Sequence, residues 1–172
     1  MIPSYIVGKR TAENAQAFIK DLSERLDNRV QLSSDALPAY IEAVESAFGM
    51  NVDYGQVVKA YEAELLGPGR YSPPHVINAD RIIISGMPKV SNISTSYVER
   101  QNLTIRMQMR RFTRLTNAFS KKLENLKAAV ALHFTYYNFV RVHKTLRVTP
   151  AMEAQITDHI WGWDEILKYE TN

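Results

Sequence analysis

The stretch RVQLSSDALPAYIEAVESAFG, residues 29–49, decides the architecture. Val30 and Leu32 alternate with polar neighbours, which predicts a short strand over 29–33. Asp35 stands just past its end. Pro38 is tolerated in a first helical turn, and Val44, Ala47 and Phe48 form an apolar stripe. A helix is therefore expected over about 37–48, ended by Gly49. Upstream, Tyr5-Ile6-Val7 within 3–8 reads as another short strand. Ala15, Phe18, Ile19, Leu22 and Leu26 then recur at helical spacing after a cap at Thr11, so 12–27 reads as an amphipathic helix. The order strand–helix–strand–helix predicts an α/β layer with a parallel sheet.

Downstream the signal weakens. Gly67, Pro68, Gly69, Pro73, Pro74, Gly86 and Pro88 mark 50–92 as a loop-rich insertion. Within it, 57–66 reads as a candidate helix and Arg81 to Ser85 as a candidate strand. From Ser96 the chain turns helical again, over 97–112 and 120–141, with a break near Thr113 to Phe119. Leu123, Leu126, Val130, Phe134 and Tyr137 predict a core-facing stripe on the second helix. Thr149-Pro150 opens a short helical piece, and Trp161 and Trp163 are expected to anchor the C-terminal tail, residues 148–172. Residues 1–147 then make up the main domain.

The 172 residues are 45% hydrophobic and 23% charged, the composition of an ordinary folded domain. Cysteine is absent, which excludes a disulfide framework, a Cys-ligated zinc and a cysteine nucleophile. No apolar run approaches the roughly 20 residues of a membrane helix, so no membrane is expected as a partner. The net charge of +3 conceals a block: residues 97–147 hold eleven Lys/Arg against Glu99 and Glu124, a net of +9. Such a block is the footprint of a polyanion binder, although a solvated helix face is the plainer alternative. No Gly-rich phosphate loop appears, and no small-molecule cofactor is expected.

Two acids stand out by placement. Asp35 follows a strand, where α/β sheets put their ligand sites. Glu99 falls in the first turn of the helix that opens the basic block. Carboxylates from a strand end and a helix supply the hard oxygens that Mg²⁺ takes. Each also has a structural alternative. Asp35 suits the cap of the next helix, and Ser96-Tyr97-Val98-Glu99 fits a capping box. His133 and His143 are expected to be packed structural residues rather than metal ligands. Asn138 and Arg141 are expected to tie the long helix to the turn after it.

Several stretches together resemble a known family. STSYVERQNLTIRM (94–107), continued by RRFTRLTNAFSKK (110–122), is similar to the region around the last acid of insertion-sequence transposases. YYNFVRVHKTL (136–146) followed by Thr149-Pro150-Ala151 is similar to the end of such domains, and VGKRT (7–11) and LSSD (32–35) also match. These are DDE recombinases with a ribonuclease H-like, integrase-like fold. The resemblance implies DNA transposition by metal-dependent strand cleavage and 3′-end transfer. Asp35 and Glu99 would be the second and third acids of the triad and would bind Mg²⁺ or Mn²⁺, two ions in the complete family site. Arg100, Arg106, Arg110, Arg111, Arg114, Lys121, Lys122, Arg141 and Lys144 would contact the phosphates of element ends and target DNA. Arg106, Arg110 and Arg114 would share one face if the helix runs unbroken. The resemblance further implies a homo-oligomer, and a prokaryotic cytoplasm in which the protein is nucleoid-associated.

One departure stands beside the match. The strand at 3–8 would be the third of the family's meander. No acid precedes Glu13, so the first catalytic Asp has no candidate. The expectation is a partial α/β fold, ribonuclease H-like but lacking its first two strands, with a helical basic C-terminal half. Little or no strand transfer by the chain alone is expected. The alternative is a non-catalytic DNA-binding or transposase-pairing module left from an inactivated element.

Overall fold

The computed structural model describes residues 1–61, 76–113 and 117–169. The fold is mixed α/β, and the chain divides into two compact units, Gly8–Leu103 and Met1–Val7 with Thr104–Asn172.

In the unit Gly8–Leu103, α1 spans Ala12–Glu24. Its N-cap is Thr11, whose hydroxyl accepts from the Asn14 N–H at 3.3 Å, and Asp21 pairs with Arg25 one turn on at 2.8 Å. β1 covers Val30–Asp35 and α2 covers Ala39–Phe48. Both form within the 29–49 stretch, because their apolar periods serve the same core, but β1 runs past the expected end at 33 to include Asp35, and α2 starts at Ala39. That core gathers Ile19 of α1, Ala43 and Val44 of α2, and Val52 and Tyr54 of the next strand, with Phe18, Leu32 and Ile84 packed against them. It lies between the two helices and one face of the sheet.

The sheet has three strands in the order β1–β2–β3. β2 (Val52–Tyr61) pairs with β1 in parallel, Val30 against Val52 through Asp35 against Val57. β3 (Val76–Ser85) returns antiparallel, with Ile83 against Gly55. This corrects the reading of 50–92 as a loop-rich insertion, for 52–61 is the central strand. The candidate helix over 57–66 is a strand as far as Tyr61, and residues 62–66 lie outside the described residues. The expected strand at 81–85 exists within β3.

Two glycines serve the sheet. Gly86 ends β3 with a φ of +69°, and a Cβ there would lie 2.3 Å from Asp53 Oδ1. The space is needed because Asp53 accepts from the Met87 N–H at 2.8 Å and from Arg29 at 2.6 Å. The Arg29 hydrogen bond, then the Met87 N–H, hold the Asp53 carboxyl down at about 2. The unfolded chain takes up this proton near 3.8. The stabilisation is therefore complete above that pH and is lost as pH falls towards about 2. The melting temperature is expected to drop across this window. Asp53→Asn should show a shallower drop, measured by circular dichroism. An equal drop in the variant would refute the assignment. The second glycine, Gly55, lets Ile93 approach: a Cβ would sit 2.4 Å from Ile93 Cδ1.

After a short 3₁₀ turn at Val90–Asn92, α3 runs Ser96–Gln108. Ile93, fully buried, fastens the segment that leads into it.

The other unit is helical. α4 covers Leu123–Thr135 and passes into a π-turn at Tyr136–Val140. The expected stripe is partly realised. Val130 and Phe134 are buried, Leu126 and Tyr137 half-buried, and Leu123 exposed. α5 (Pro150–Glu153) starts with Pro150 behind the N-cap Thr149, whose hydroxyl accepts from the Met152 N–H at 3.2 Å. α6 spans Trp163–Tyr169. The tryptophans anchor the tail: Trp161 lies 4.4 Å from Phe139, and Trp163 stacks on Tyr136 at 6.1 Å.

The N-terminal segment departs from expectation, for no strand forms over 3–8. The Ile2 N–H donates to Asn138 Oδ1 and the Ile2 carbonyl accepts from Asn138 Nδ2, each at 2.9 Å. The Tyr5 ring packs 4.7 Å from Phe134. The backbone polar groups of Ile2 are met by one buried amide, and the apolar side chain of Tyr5 lies on a helix instead of a sheet. Asn138 accordingly ties the N-terminal segment, not the turn after the long helix.

Candidate functional site

Asp35 and Glu99 line one groove of about 910 Å³ inside the unit Gly8–Leu103. β1 delivers Asp35 at its C-terminal end, and α3 delivers Glu99 in its first turn. Asp35 accepts from Arg10 Nη2 at 2.5 Å. It also accepts from the Leu37 N–H at 3.3 Å, so it helps the chain turn into α2 as well. Glu99 accepts from the Lys59 ammonium and from the Thr95 hydroxyl, the latter at 2.8 Å. The Lys59 hydrogen bond, then Thr95, lower the Glu99 pKa, and the Glu99 hydrogen bond raises that of Lys59. The Lys59 ammonium also feels the charge of Asp35.

The alternative of a capping box between Ser96 and Glu99 is not the arrangement formed. The hydroxyl that meets Glu99 belongs to Thr95, which is mostly buried. Ser94 caps the Ser96 N–H instead, at 3.1 Å.

A buried polar chain lies behind Asp35. The Ser34 and Tyr54 hydroxyls stand 2.7 Å apart, and Gln56 Nε2 donates to the Tyr54 hydroxyl at 2.8 Å. Tyr54 is 1% exposed and Gln56 4%. Burial is the largest influence on the Tyr54 phenol and raises its pKa. The chain is satisfied internally, so it stiffens the β1–β2 end that carries Asp35.

Sequence reasoning missed Lys59 and assigned no role to Arg10. A signal for Lys59 existed in the strand register. Asp35 sits opposite Val57, and Lys59 is two residues further on the same face of β2. The glycines and prolines that surround β2 in 50–92 hide it, and with it the position of Lys59.

Carboxylate oxygens are hard donors of the kind divalent cations take, and the Thr95 hydroxyl stands beside those of Glu99. Each carboxylate already pairs with a side-chain cation, Arg10 on Asp35 and Lys59 on Glu99. Among the described residues no three His, Asp or Glu converge as a metal-holding group.

The basic residues are spread over several elements. Arg100 and Arg106 are exposed on α3. Arg110 and Arg111 are exposed in a 3₁₀ turn at Arg110–Phe112, where Arg111 donates to the Ser120 hydroxyl at 2.5 Å. Lys121, Lys122 and Lys144 are exposed, and Arg141 is half-buried. Arg114 lies outside the described residues. Arg106 and Arg110 do not share a continuous helical face, because α3 ends at Gln108 and Met109 is extended (φ −114°, ψ 106°). The Thr113 hydroxyl bonds the Arg106 carbonyl at 3.3 Å across this break.

His133 is buried against Phe134, and His143 meets the Tyr137 ring edge-on at 4.6 Å. Burial, then the charge of Arg141, lowers the pKa of both. No helix among the described residues is long and apolar enough to cross a membrane. No family model, curated protein or solved structure matches the chain.

Proposed function

We infer that the chain is a catalytic domain of the DDE transposase lineage, ribonuclease H-like in descent, which handles DNA through Asp35, Glu99 and its basic half. The support is the groove. Two acids far apart in sequence, one at a strand end and one in a first helical turn, face the same cavity. The strand–helix–strand order with β1 and β2 parallel agrees with such a fold. A Mg²⁺ or Mn²⁺ ion held there would supply Lewis-acid polarisation at phosphorus. The chain's own contribution is to hold the carboxylates and to grip the phosphate backbone through Arg100, Arg106, Arg110, Arg111, Lys121, Lys122, Arg141 and Lys144, without reading bases. Assembly into a homo-oligomer on paired DNA ends, in a prokaryotic nucleoid, belongs to the same proposal.

A second reading has its own observation. Arg10 and Lys59 already neutralise both acids, and no third carboxylate joins them among the described residues. That favours a non-catalytic module which binds DNA or pairs with a complete transposase.

A Mn²⁺ titration followed by thermal melting separates the two. Under the catalytic proposal Mn²⁺ raises the melting temperature of the whole chain, and Asp35→Asn or Glu99→Gln removes the rise. A rise that survives both substitutions sinks it. Plasmid nicking by the chain alone is expected to be slight, since two acids hold one ion weakly.

A further inference from the structure

We propose that Arg10 and Lys59 are resident counter-cations of the Asp35–Glu99 groove, each occupying one carboxylate until a divalent ion displaces it. The inference rests on the proposed metal-binding role of those acids and adds how the site is loaded.

Neither pairing is a local accident. Arg10 precedes α1 and reaches Asp35 on β1, while Lys59 on β2 reaches Glu99 on α3. Four separate segments thus place two cations on two anions in one groove, one cation for each anion. The Lys59 side chain is only 27% exposed, so its ammonium is held in the groove rather than swept through solvent. The Arg10 side chain is 64% exposed, a looser partner.

Such pairing has a physical purpose. Two carboxylates facing one groove repel each other, a repulsion that solvent only partly screens because the Asp35 and Glu99 side chains are 51% and 54% exposed. The two side-chain cations balance the groove without an ion. They also compete with one, because an incoming Mn²⁺ must take carboxylate oxygens that the guanidinium and ammonium now hold. Arg10 and Lys59 therefore set the ion concentration at which the site fills. Lys59, the better enclosed, sets most of it.

The test uses the full chain, Mn²⁺ alone as probe, and the midpoint of the Mn²⁺-induced rise in melting temperature. Lys59→Met and Lys59→Gln are both made, so that a folding defect in one does not decide the result. Their melting without metal verifies the fold. The expected outcome is a midpoint about fivefold lower in both variants than in the parent, the competition of one partly exposed ion pair having been removed. Arg10→Gln should lower it less. A rise abolished by Asp35→Asn and Glu99→Gln, with a midpoint unchanged or higher in both Lys59 variants, overturns the displacement idea and leaves the metal site standing. No rise in any chain overturns both.

Discussion

Raising the salt from about 50 to about 200 mM is expected to weaken binding of the chain to duplex DNA about a thousandfold. The figure follows from counterion release. Each phosphate neutralised by Lys or Arg contributes about −0.9 to the slope of log affinity against log salt. Six such contacts produce a slope near −5, or about 10³ over a fourfold change in salt. The chain has residues for six: Arg106, Arg110, Arg111, Lys121, Lys122 and Lys144 are all exposed. They lie on α3, on the 3₁₀ turn, on the approach to α4 and after the π-turn. Under the proposed function these residues would read phosphate and not bases, so affinity should vary little between duplexes of different sequence. Arg106→Ala should reduce the steepness of the slope by about one at any sequence. Fluorescence anisotropy with a labelled duplex measures both quantities. A slope near zero would leave the basic half as a solvated surface and remove the nucleic-acid proposal.

Gly55→Val is expected to cost about 3 kcal/mol, at the upper end for overpacking a tight core. The new Cβ alone would lie 2.4 Å from Ile93 Cδ1 and 3.2 Å from the Ile82 carbonyl oxygen. Ile93 has nowhere to retreat, since it is fully buried. The carbonyl belongs to the neighbouring strand and moves only with the β2–β3 ladder. For a chain of this size about 3 kcal/mol corresponds to roughly 6–12 °C in melting temperature. The functional consequence is specific. Ile93 fastens the segment leading to Thr95 and Glu99, so displacing it should also shift Glu99 away from Lys59. Gly55→Ala should do the same to a smaller extent. A Gly55→Val protein that melts within a degree of the parent would contradict this account of the close approach.

The 29–49 stretch was legible because its structure is local. Alternation at Val30 and Leu32 and a helical period at Val44, Ala47 and Phe48 each describe a segment that buries its own apolar side. α1 and Pro150 behind Thr149 were legible for the same reason, through cap residues and first-turn proline chemistry. The central strand β2 was not. Its run VDYGQVVKAY carries a glycine and a lysine, and what holds it extended is pairing with β1 on one side and β3 on the other. β3 was only half legible: its N-terminal part carries three weak strand formers, Asn78, Ala79 and Asp80, which follow the central strand by ladder hydrogen bonds. Tyr5-Ile6-Val7 misled in the other direction. Its composition suits a strand, but Asn138 satisfies the Ile2 backbone and Phe134 covers Tyr5. The break after Gln108 likewise escaped notice, and with it the separation of Arg106 from Arg110.

By itself, then, the sequence settled that helices form within 12–27 and 37–48, that Asp35 falls near a strand end and Glu99 in a first helical turn, and how strongly positive charge gathers in the C-terminal half. Those properties depend on periodicity, capping and composition, all short-range or additive. Only the tertiary structure decided that the two acids share a groove, that Arg10 and Lys59 occupy them, and that an unpromising run becomes the middle of the sheet. Each of those outcomes is a pairing between residues remote in the chain, fixed by strand register and by charges meeting across the fold.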